Sequence, residues 1–258
     1  MNIFASLAER FLKVAANHGF SCDGCGAEIF EYPKKRLCDR CESDLPRVSK
    51  RACEKCGRQT IADGVCLDCK SHAPHFTRGF SPFVYKGVAA SFINRVKNGN
   101  PRLALYFGEQ MAELFVEKTK NDEHIQALKS SQEPLLVLFV PMTEKGLHAR
   151  GYNQAERLAE SVISRIVEHG VAVETDKEIL QKRKETAEQK KMGFTARSEN
   201  VMGAYHIHKR KACKDRTLLL IDDIMTTGAT GSECARKLLN AGAKAVYFLT
   251  AVALPERK

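Results

Sequence analysis

The chain has 258 residues, of which 43% are hydrophobic, so it is long and apolar enough to form one large globular domain or two. Its 41 lysine and arginine residues outnumber 31 aspartate and glutamate residues, and the net charge of +10 favours phosphorylated small molecules or nucleic acid as partners. No apolar run approaches the roughly 20 residues of a membrane span, and charged residues interrupt the apolar N-terminal residues. We therefore expect a cytoplasmic protein with no signal peptide and no membrane insertion.

Eight of the ten cysteines stand in four CxxC pairs between residues 22 and 69. A CxxC turn places two thiolates along one edge of a tetrahedron, and two such turns complete a four-cysteine zinc site. Because Gly26 and Gly57 follow the first pair of each set, the segment looks like a tandem repeat of one zinc-ribbon unit. We call the units the first ribbon (residues 22–41) and the second ribbon (residues 53–69). The predicted ligands of two structural zinc ions are Cys22, Cys25, Cys38, Cys41, Cys53, Cys56, Cys66 and Cys69.

The cysteine pairs leave two questions open. Each ribbon could bind its own ion, or the pairs could be cross-braced, and the internal repeat favours the first arrangement. Disulfides are the alternative to zinc, but a cytoplasmic chain disfavours them. Cys213 and Cys234 are predicted to be plain buried residues. We expect a zinc-ribbon domain with an N-terminal helix over residues 1–75 and a second domain over residues 76–258.

The middle of the chain predicts alternating strands and helices. Residues 80–85 and 135–140 are typical of strands, helices are predicted to begin near Gly87 and Pro101, and residues 120–132 are predicted to be a surface loop. After the strand at 135–140, Lys145, His148 and Arg150 form a basic cluster that we assign to a loop. Such a loop can hold an anion or can simply be solvated. Asn153 is predicted to cap the next helix.

Residues 182–197 hold six basic and two acidic residues around Gly193, with little apolar periodicity. This segment is either a mobile cover over a polyanion or a solvated run of charge. Residues 204–208 are predicted to re-enter the sheet.

The chemistry concentrates in residues 218–231, which read LLLIDDIMTTGATG. Four apolar residues predict a buried strand, and Asp222 and Asp223 follow at its carboxyl end. Thr230 and Glu233 have the spacing of a capping box, which predicts a helix start. The intervening polar segment, here called the anion loop, can wrap a phosphate with backbone amides and hydroxyls at a helix N-terminus. Its residues are Thr226, Thr227, Gly228, Ala229 and Thr230.

This pattern resembles the ribose-5-phosphate motif of type I phosphoribosyltransferases. The alternative is an ordinary strand-to-helix turn with a surface acidic pair, whereas a Walker A loop is excluded because no lysine follows the glycines. The carboxyl ends of parallel strands meet at one edge of a sheet. We therefore expect the anion loop and the basic cluster after residue 140 to face one crevice.

The chain as a whole resembles the ComF family of competence-associated proteins. The resemblance rests on the CxxC pairs, the acidic pair with its loop, and several short runs in a fixed order. Those runs are Tyr85-Lys-Gly, Lys97-Asn-Gly, Arg150-Gly-Tyr-Asn-Gln, and Arg183 with Thr186, Gln189, Arg197 and Asn200. It implies an α/β, type I phosphoribosyltransferase-like fold, with a mostly parallel sheet flanked by helices and an N-terminal zinc-ribbon domain. We have no physical account of Lys97 from the sequence.

The resemblance also implies a ligand and a set of roles. Phosphoribosyl pyrophosphate with magnesium would place its 5-phosphate on the anion loop, and Asp222 and Asp223 would contact the ribose hydroxyls. Lys145 and Arg150 would face the pyrophosphate, although Lys145 stands where the family often has arginine. The segment that would close above contributes Arg183 as a catalytic residue and Gln189 and Arg197 as substrate contacts.

Two classes of function remain open. The first is an enzyme that transfers phosphoribose to an unidentified acceptor, with a role in DNA uptake during natural transformation. The second is a non-catalytic protein that senses phosphoribosyl pyrophosphate or binds single-stranded DNA or DNA-uptake proteins. The absence of tryptophan and the few aromatic residues near the basic runs disfavour strong single-strand binding.

Overall fold

A computed structural model describes residues 21–31, 33–183 and 201–256. Within these ranges the chain forms eight strands and eight α-helices. The strands are β1 (Arg78–Phe80), β2 (Phe83–Val84), β3 (Leu135–Phe139), β4 (Val173–Thr175), β5 (Leu180–Lys182), β6 (Tyr205–Ile207), β7 (Thr217–Met225) and β8 (Ala245–Ala253). The helices are α1 (Asp39–Ser43), α2 (Leu67–Ser71), α3 (Gly87–Lys97), α4 (Pro101–Thr119), α5 (Glu123–Ser131), α6 (Glu144–Arg150), α7 (Gln154–Glu168) and α8 (Ala229–Asn240).

The central sheet is parallel, with strand order β1-β8-β7-β3-β4, and β2 continues the same edge by pairing with β8. Its two middle strands, β7 and β8, are buried nearly throughout, as expected for strands covered on both faces. The predicted architecture of a mostly parallel sheet flanked by helices is confirmed.

The helices that cover one face begin where the sequence places capping residues. The Asn100 side chain accepts hydrogen bonds from the first turn of α4, and Asn153 accepts one from Ala155 at the start of α7. Helices α4 and α7 pack closely, because a Cβ on Gly108 would lie 2.3 Å from the Cβ of Ser161. This contact fixes α7, which leads out of the basic segment after β3.

The two ribbons pack on opposite faces of the sheet. Cys22 and Cys41 of the first ribbon share a core with Phe92 of α3 and with residues of α4 and α7. The four cysteines of the second ribbon share the other core with Phe76, Phe248 and α8. The cysteines of each ribbon therefore belong to the hydrophobic core on one face of the sheet, so that the ribbon and the sheet stabilise each other.

Three local predictions are wrong. Residues 120–132 contain α5 rather than a loop, because Asp122 caps the helix and Ile125 and Leu128 are buried. Residues 204–208 do not join the central sheet; β6 pairs antiparallel with β5 in a separate two-stranded sheet. The segment at 80–85 forms two short strands, interrupted by Ser81 and Pro82, rather than one.

Candidate functional site

The predicted cysteine ligands form two tight clusters, one in each ribbon. In each cluster the four Sγ atoms lie within 4.8 Å of one another. The Sγ–Sγ distance is 3.7 Å between Cys25 and Cys38 and 3.8 Å between Cys56 and Cys66. Four sulfurs at about 2.3 Å from zinc give tetrahedral edges of about 3.8 Å, so these clusters fit zinc. The distances are far from a disulfide bond of about 2.05 Å.

Both clusters share one hydrogen-bonding pattern. In the first ribbon the backbone amides of Cys25 and Cys38 donate to Cys22 Sγ, and in the second ribbon the amides of Cys56 and Cys66 donate to Cys53 Sγ. Each set of four cysteines therefore lies within one ribbon, which confirms the sequential arrangement and argues against cross-bracing. Both remaining cysteines of the chain are buried, as predicted.

The acidic pair lies at the carboxyl edge of the sheet. Strand β7 continues to Met225, so Asp222 and Asp223 lie inside the strand and not after it, which corrects the predicted strand end. The part of β7 beyond Ile221 pairs with β8, with Asp222 in register with Thr250 and Met225 in register with Ala253. Val140, just after β3, donates its amide to the carbonyl of Ile221, so the segments that follow both strands begin side by side.

Both carboxylates are buried, at 9% exposure for Asp222 and 5% for Asp223. Asp222 accepts a hydrogen bond from the amide of Asp223, and Asp223 accepts one from the amide of Ile224. Lys97 Nζ lies 3.1 Å from Asp223 Oδ2. Burial, followed by the nearby Asp223 carboxylate, raises the pKa of Asp222 well above its usual range. The site thus combines a lysine–aspartate ion pair with a second carboxyl group that favours its neutral form.

Lys97 is the residue beside the acidic pair for which the sequence offered no physical reason. It ends α3, and the segment after it is held by Tyr152: the amide of Gly99 donates to the Tyr152 hydroxyl at 2.7 Å, and that hydroxyl donates to the carbonyl of Val96. Asn153 Nδ2 in turn donates to the carbonyl of Val140 at the end of β3. The runs at 97–99 and 150–154 therefore meet beside the acidic pair, and their shared presence in the sequence was the available signal.

The anion loop leads directly into α8. Gly228 is the N-terminal cap residue of α8 and has φ +81°, a left-handed conformation that glycine adopts without strain. The predicted capping box of Thr230 and Glu233 is wrong. Glu233 instead accepts hydrogen bonds from the Gly203 amide and from Arg236. At the start of α8, the Thr227 hydroxyl instead accepts a hydrogen bond from the amide of Ala229 at 3.3 Å.

Strand β6 also reaches the anion loop. The Tyr205 side chain lies beside that of Thr230, and burial raises the pKa of the Tyr205 phenol. A Cβ on Gly231 would lie 2.5 Å from Phe248, so the first turn of α8 sits directly on the sheet. The loop is therefore held between β6 on one side and β8 on the other.

The predicted pyrophosphate contacts have a different local structure from the one expected. Lys145 and Arg150 belong to α6, a helix that Thr143 caps, and not to a loop. Both side chains are exposed, and Arg150 donates to Gln154 at 2.6 Å. Arg183 is exposed directly after β5. Gln189, Arg197 and most of the predicted cover lie outside the described residues.

None of the helices in the described ranges combines the length and the apolar character needed to cross a bilayer.

Comparisons with known proteins agree with this organisation. The family model for a double zinc ribbon domain matches residues 19–70. Competence protein ComFC of Bacillus subtilis is 25% identical over 217 residues, covering 81% of this chain and 80% of that protein. ComFC of Streptococcus pneumoniae is 28% identical and covers 84% of this chain and 87% of that protein. DNA utilization protein YhgH of Escherichia coli K12 is 24% identical and covers 81% and 87%.

Among solved structures, HGPRT-ase from Leishmania tarentolae in complex with GMP aligns with 58% of this chain and 66% of that chain, at 13% identity and a TM-score of 0.33. A hypoxanthine-guanine phosphoribosyltransferase from Schistosoma mansoni in complex with IMP aligns at 12% identity and a TM-score of 0.30, over 60% and 65% of the two chains. Likeness at this level carries no argument. The sequence relatives confirm the resemblance to the ComF family, and the chain is a double-zinc-ribbon homologue of the ComFC and YhgH proteins.

Proposed function

We propose that the protein binds phosphoribosyl pyrophosphate at the carboxyl edge of the sheet and transfers its phosphoribosyl group to an acceptor. One juxtaposition supports this proposal above all: a glycine-containing loop at a helix N-terminus directly follows the strand that carries a buried acidic pair. The loop offers amides and hydroxyls to a phosphate. The carboxylates offer acceptors to sugar hydroxyls, so the two halves suit the two ends of a ribose 5-phosphate.

In the transfer, the bond between the ribose anomeric carbon and the pyrophosphate oxygen breaks, and pyrophosphate leaves with the electron pair. The acceptor then forms the new bond to the anomeric carbon. Positive charge develops on the ribose in between, and the Asp223 carboxylate beside the sugar would stabilise it, while the Asp222 carboxyl would contact a ribose hydroxyl. Lys145 and Arg150 would attract the departing pyrophosphate, and Arg183 would approach from the segment after β5.

Lys97 gives the site a defined resting state. Its ammonium balances the charge of Asp223, and the raised pKa of Asp222 favours a neutral carboxyl beside that pair. A ligand rich in phosphate competes with Asp223 for the Lys97 ammonium. Once the ammonium turns toward phosphate, the side chains of Asp222 and Asp223 become available to the ribose hydroxyls. We therefore assign Lys97 to ligand binding as well as to charge balance.

Magnesium fits this site as a partner of the ligand. Carboxylate oxygens are ligands that magnesium accepts, but it usually keeps several waters and binds substrate phosphates. The ammonium at 3.1 Å from Asp223 competes with direct binding of a dication to that carboxylate. We infer that the ion is held mainly by ligand oxygens and water.

A second candidate function is binding without turnover. The net charge of +10 suits a polyanion, and the relatives carry the names competence protein and DNA utilization protein. On this alternative the same site would sense phosphoribosyl pyrophosphate, or the basic surface would bind single-stranded DNA during uptake. The two candidates differ in one observable, the release of pyrophosphate.

Calorimetry with phosphoribosyl pyrophosphate and magnesium tests binding, and pyrophosphate release with candidate acceptors tests turnover. We expect wild type to bind, and we expect Asp222→Asn together with Asp223→Asn to abolish both signals. Asp63→Asn is the control, because that carboxylate is exposed on the second ribbon. If wild type fails to bind at millimolar ligand, the site is vestigial. If binding occurs without pyrophosphate release for any acceptor, the sensor alternative holds.

A further inference from the structure

The second ribbon reaches the anion loop through one buried side chain. Arg58 is only 2% exposed. Its Nη1 donates to Asp68 Oδ2 at 2.7 Å, within the ribbon, and its Nη2 donates to the carbonyl of Thr226 at 3.0 Å. The guanidinium thus joins a zinc-binding unit to the first residue of the loop. A buried arginine with a planar, forked set of donors is well suited to hold two acceptors in fixed directions.

The ribbon fold itself does not require this arginine. The two ribbons share their turns closely: the amide of Cys22 donates to the carbonyl of Ala27, and the amide of Cys53 donates to the carbonyl of Arg58. Ala27 is therefore the counterpart of Arg58. By the same repeat, Arg40 is the counterpart of Asp68, because each stands two residues after the first cysteine of the second CxxC pair in its ribbon. With Ala27 and Arg40 at the counterpart positions, the first ribbon has no equivalent of the Arg58–Asp68 pair.

Further contacts keep the second ribbon in place against the loop. Gly57 lies on β1 so closely that a Cβ would be 2.4 Å from the carbonyl oxygen of Gly79. The Glu256 carboxylate accepts hydrogen bonds from the backbone amides of Ile61 and Leu67. The amide of Leu254 donates a hydrogen bond to the carbonyl of Met225. The segment after β8 therefore links the ribbon to the base of the loop, and Arg58 acts from a fixed platform.

We propose that Arg58 is a positioning residue for the anion loop, held in place by the second zinc site. In a planar trans peptide the carbonyl and the following amide point in opposite directions. By fixing the carbonyl of Thr226 toward the ribbon, Arg58 fixes the amide of Thr227 away from it. The guanidinium also polarises that peptide, which makes its amide a stronger donor to an anion. The ligand-binding part of this proposal rests on the proposed function.

The main test compares Arg58→Lys with Arg51→Lys, a change at an exposed arginine just before the second ribbon, whose side chain lies 3.9 Å from that of Asp63. Lysine keeps the charge but lacks the fork. We expect Arg58→Lys to retain two zinc ions, to raise hydrogen exchange in residues 224–232, and to weaken binding of ribose 5-phosphate by about tenfold, the loss expected for one charge-assisted hydrogen bond. Arg51→Lys should leave all three unchanged.

The outcomes separate the two proposals. If wild type binds ribose 5-phosphate and Arg58→Lys binds it equally with unchanged loop exchange, the positioning role is wrong and the proposed function stands. If wild type binds neither ribose 5-phosphate nor phosphoribosyl pyrophosphate, the proposed function fails, and the exchange of residues 224–232 alone decides the role of Arg58.

Two further measurements cover the case in which Arg58→Lys loses zinc. Asp68→Asn removes only the ribbon-side partner and should raise loop exchange to a smaller degree. In wild type, ribose 5-phosphate should slow exchange in residues 53–60 more than in residues 22–29, because coupling between two sites is reciprocal. Equal exchange in the loop of Asp68→Asn and wild type, together with no ligand effect on residues 53–60, would overturn the proposal.

Discussion

The ion pair between Lys97 and Asp223 allows a quantitative test of the resting site. The charged atoms are 3.1 Å apart, and the side chains are 27% and 8% exposed, respectively. At an effective dielectric constant of about 20, this separation gives a gross attraction of about 5 kcal/mol. Desolvation offsets much of it, and water reaches the lysine. We therefore expect Lys97→Met to cost about 2 kcal/mol of unfolding free energy, less than the roughly 3–5 kcal/mol of a fully buried pair.

Replacing Asp223 should reduce the unfolding free energy less than replacing Lys97 does. Asp223→Asn leaves a lysine whose flexible stem can carry its ammonium to water, so we expect a cost below about 1 kcal/mol. The double variant removes both charges, and its cost should be close to that of Asp223→Asn alone. The coupling energy between the two sites would then be about 2 kcal/mol.

Denaturant unfolding of the four proteins at one pH measures this cycle. Lys118→Met is the control, because Lys118 is a more exposed lysine on α4 that pairs with its neighbour Glu117. It should change stability by less than about 0.5 kcal/mol. Additive costs for Lys97→Met and Asp223→Asn would refute the inference that the lysine compensates the buried carboxylate.

Three further predictions concern zinc, pH and the anion loop. Metal analysis should find two zinc ions per chain, and Cys25→Ser should retain one. A chelator should remove zinc from the first ribbon, which contains the exposed Cys25, before it removes zinc from the second ribbon, whose four cysteines are buried. Because burial raises the folded-state pKa of Asp222, the contribution of this residue to stability is full below the unfolded pKa of about 3.9 and is lost as pH rises toward the folded value. Asp222→Asn should therefore gain stability relative to wild type as pH is raised from about 4 toward neutrality. A difference in stability that stays constant with pH would contradict this. Gly228→Val and the control Gly170→Val both place a side chain at positive φ and should each lose roughly 1–2 kcal/mol, but only the former should lose ribose 5-phosphate binding by calorimetry.

The sequence predicted the parts of the molecule that depend on local pattern. Spacing of the cysteines, the apolar run of β7 and the capping residue Asn153 each reflect interactions within a few residues, and all were confirmed. Predictions failed where tertiary packing decides. Helix α5 forms in a polar stretch because Ile125 and Leu128 find a core, and β7 extends past its apolar run because β8 pairs with it through Met225.

The candidate site divides in the same way. Asp222, Asp223 and the anion loop are contiguous, so the motif could be found in one line of sequence. Lys97 is 126 positions from Asp223 and Arg58 is 168 positions from Thr226, and only the packing of α3 and of the second ribbon brings them there. A single lysine or arginine in a chain with 41 of them carries no signal of its own.

Both of these remote cations meet a cost that the fold alone does not explain. A buried carboxylate pair served by one lysine is less stable than neutral residues of similar shape would be, and a buried arginine has to be desolvated before it can hold a carbonyl. Departures of this kind from local consistency tend to mark functional sites. Here they stand on either side of the same few residues, with Lys97 at the acidic pair and Arg58 at Thr226. The proposed ligand would account for both, because a phosphorylated ribose needs acceptors for its hydroxyls at one end and fixed donors for its phosphate at the other.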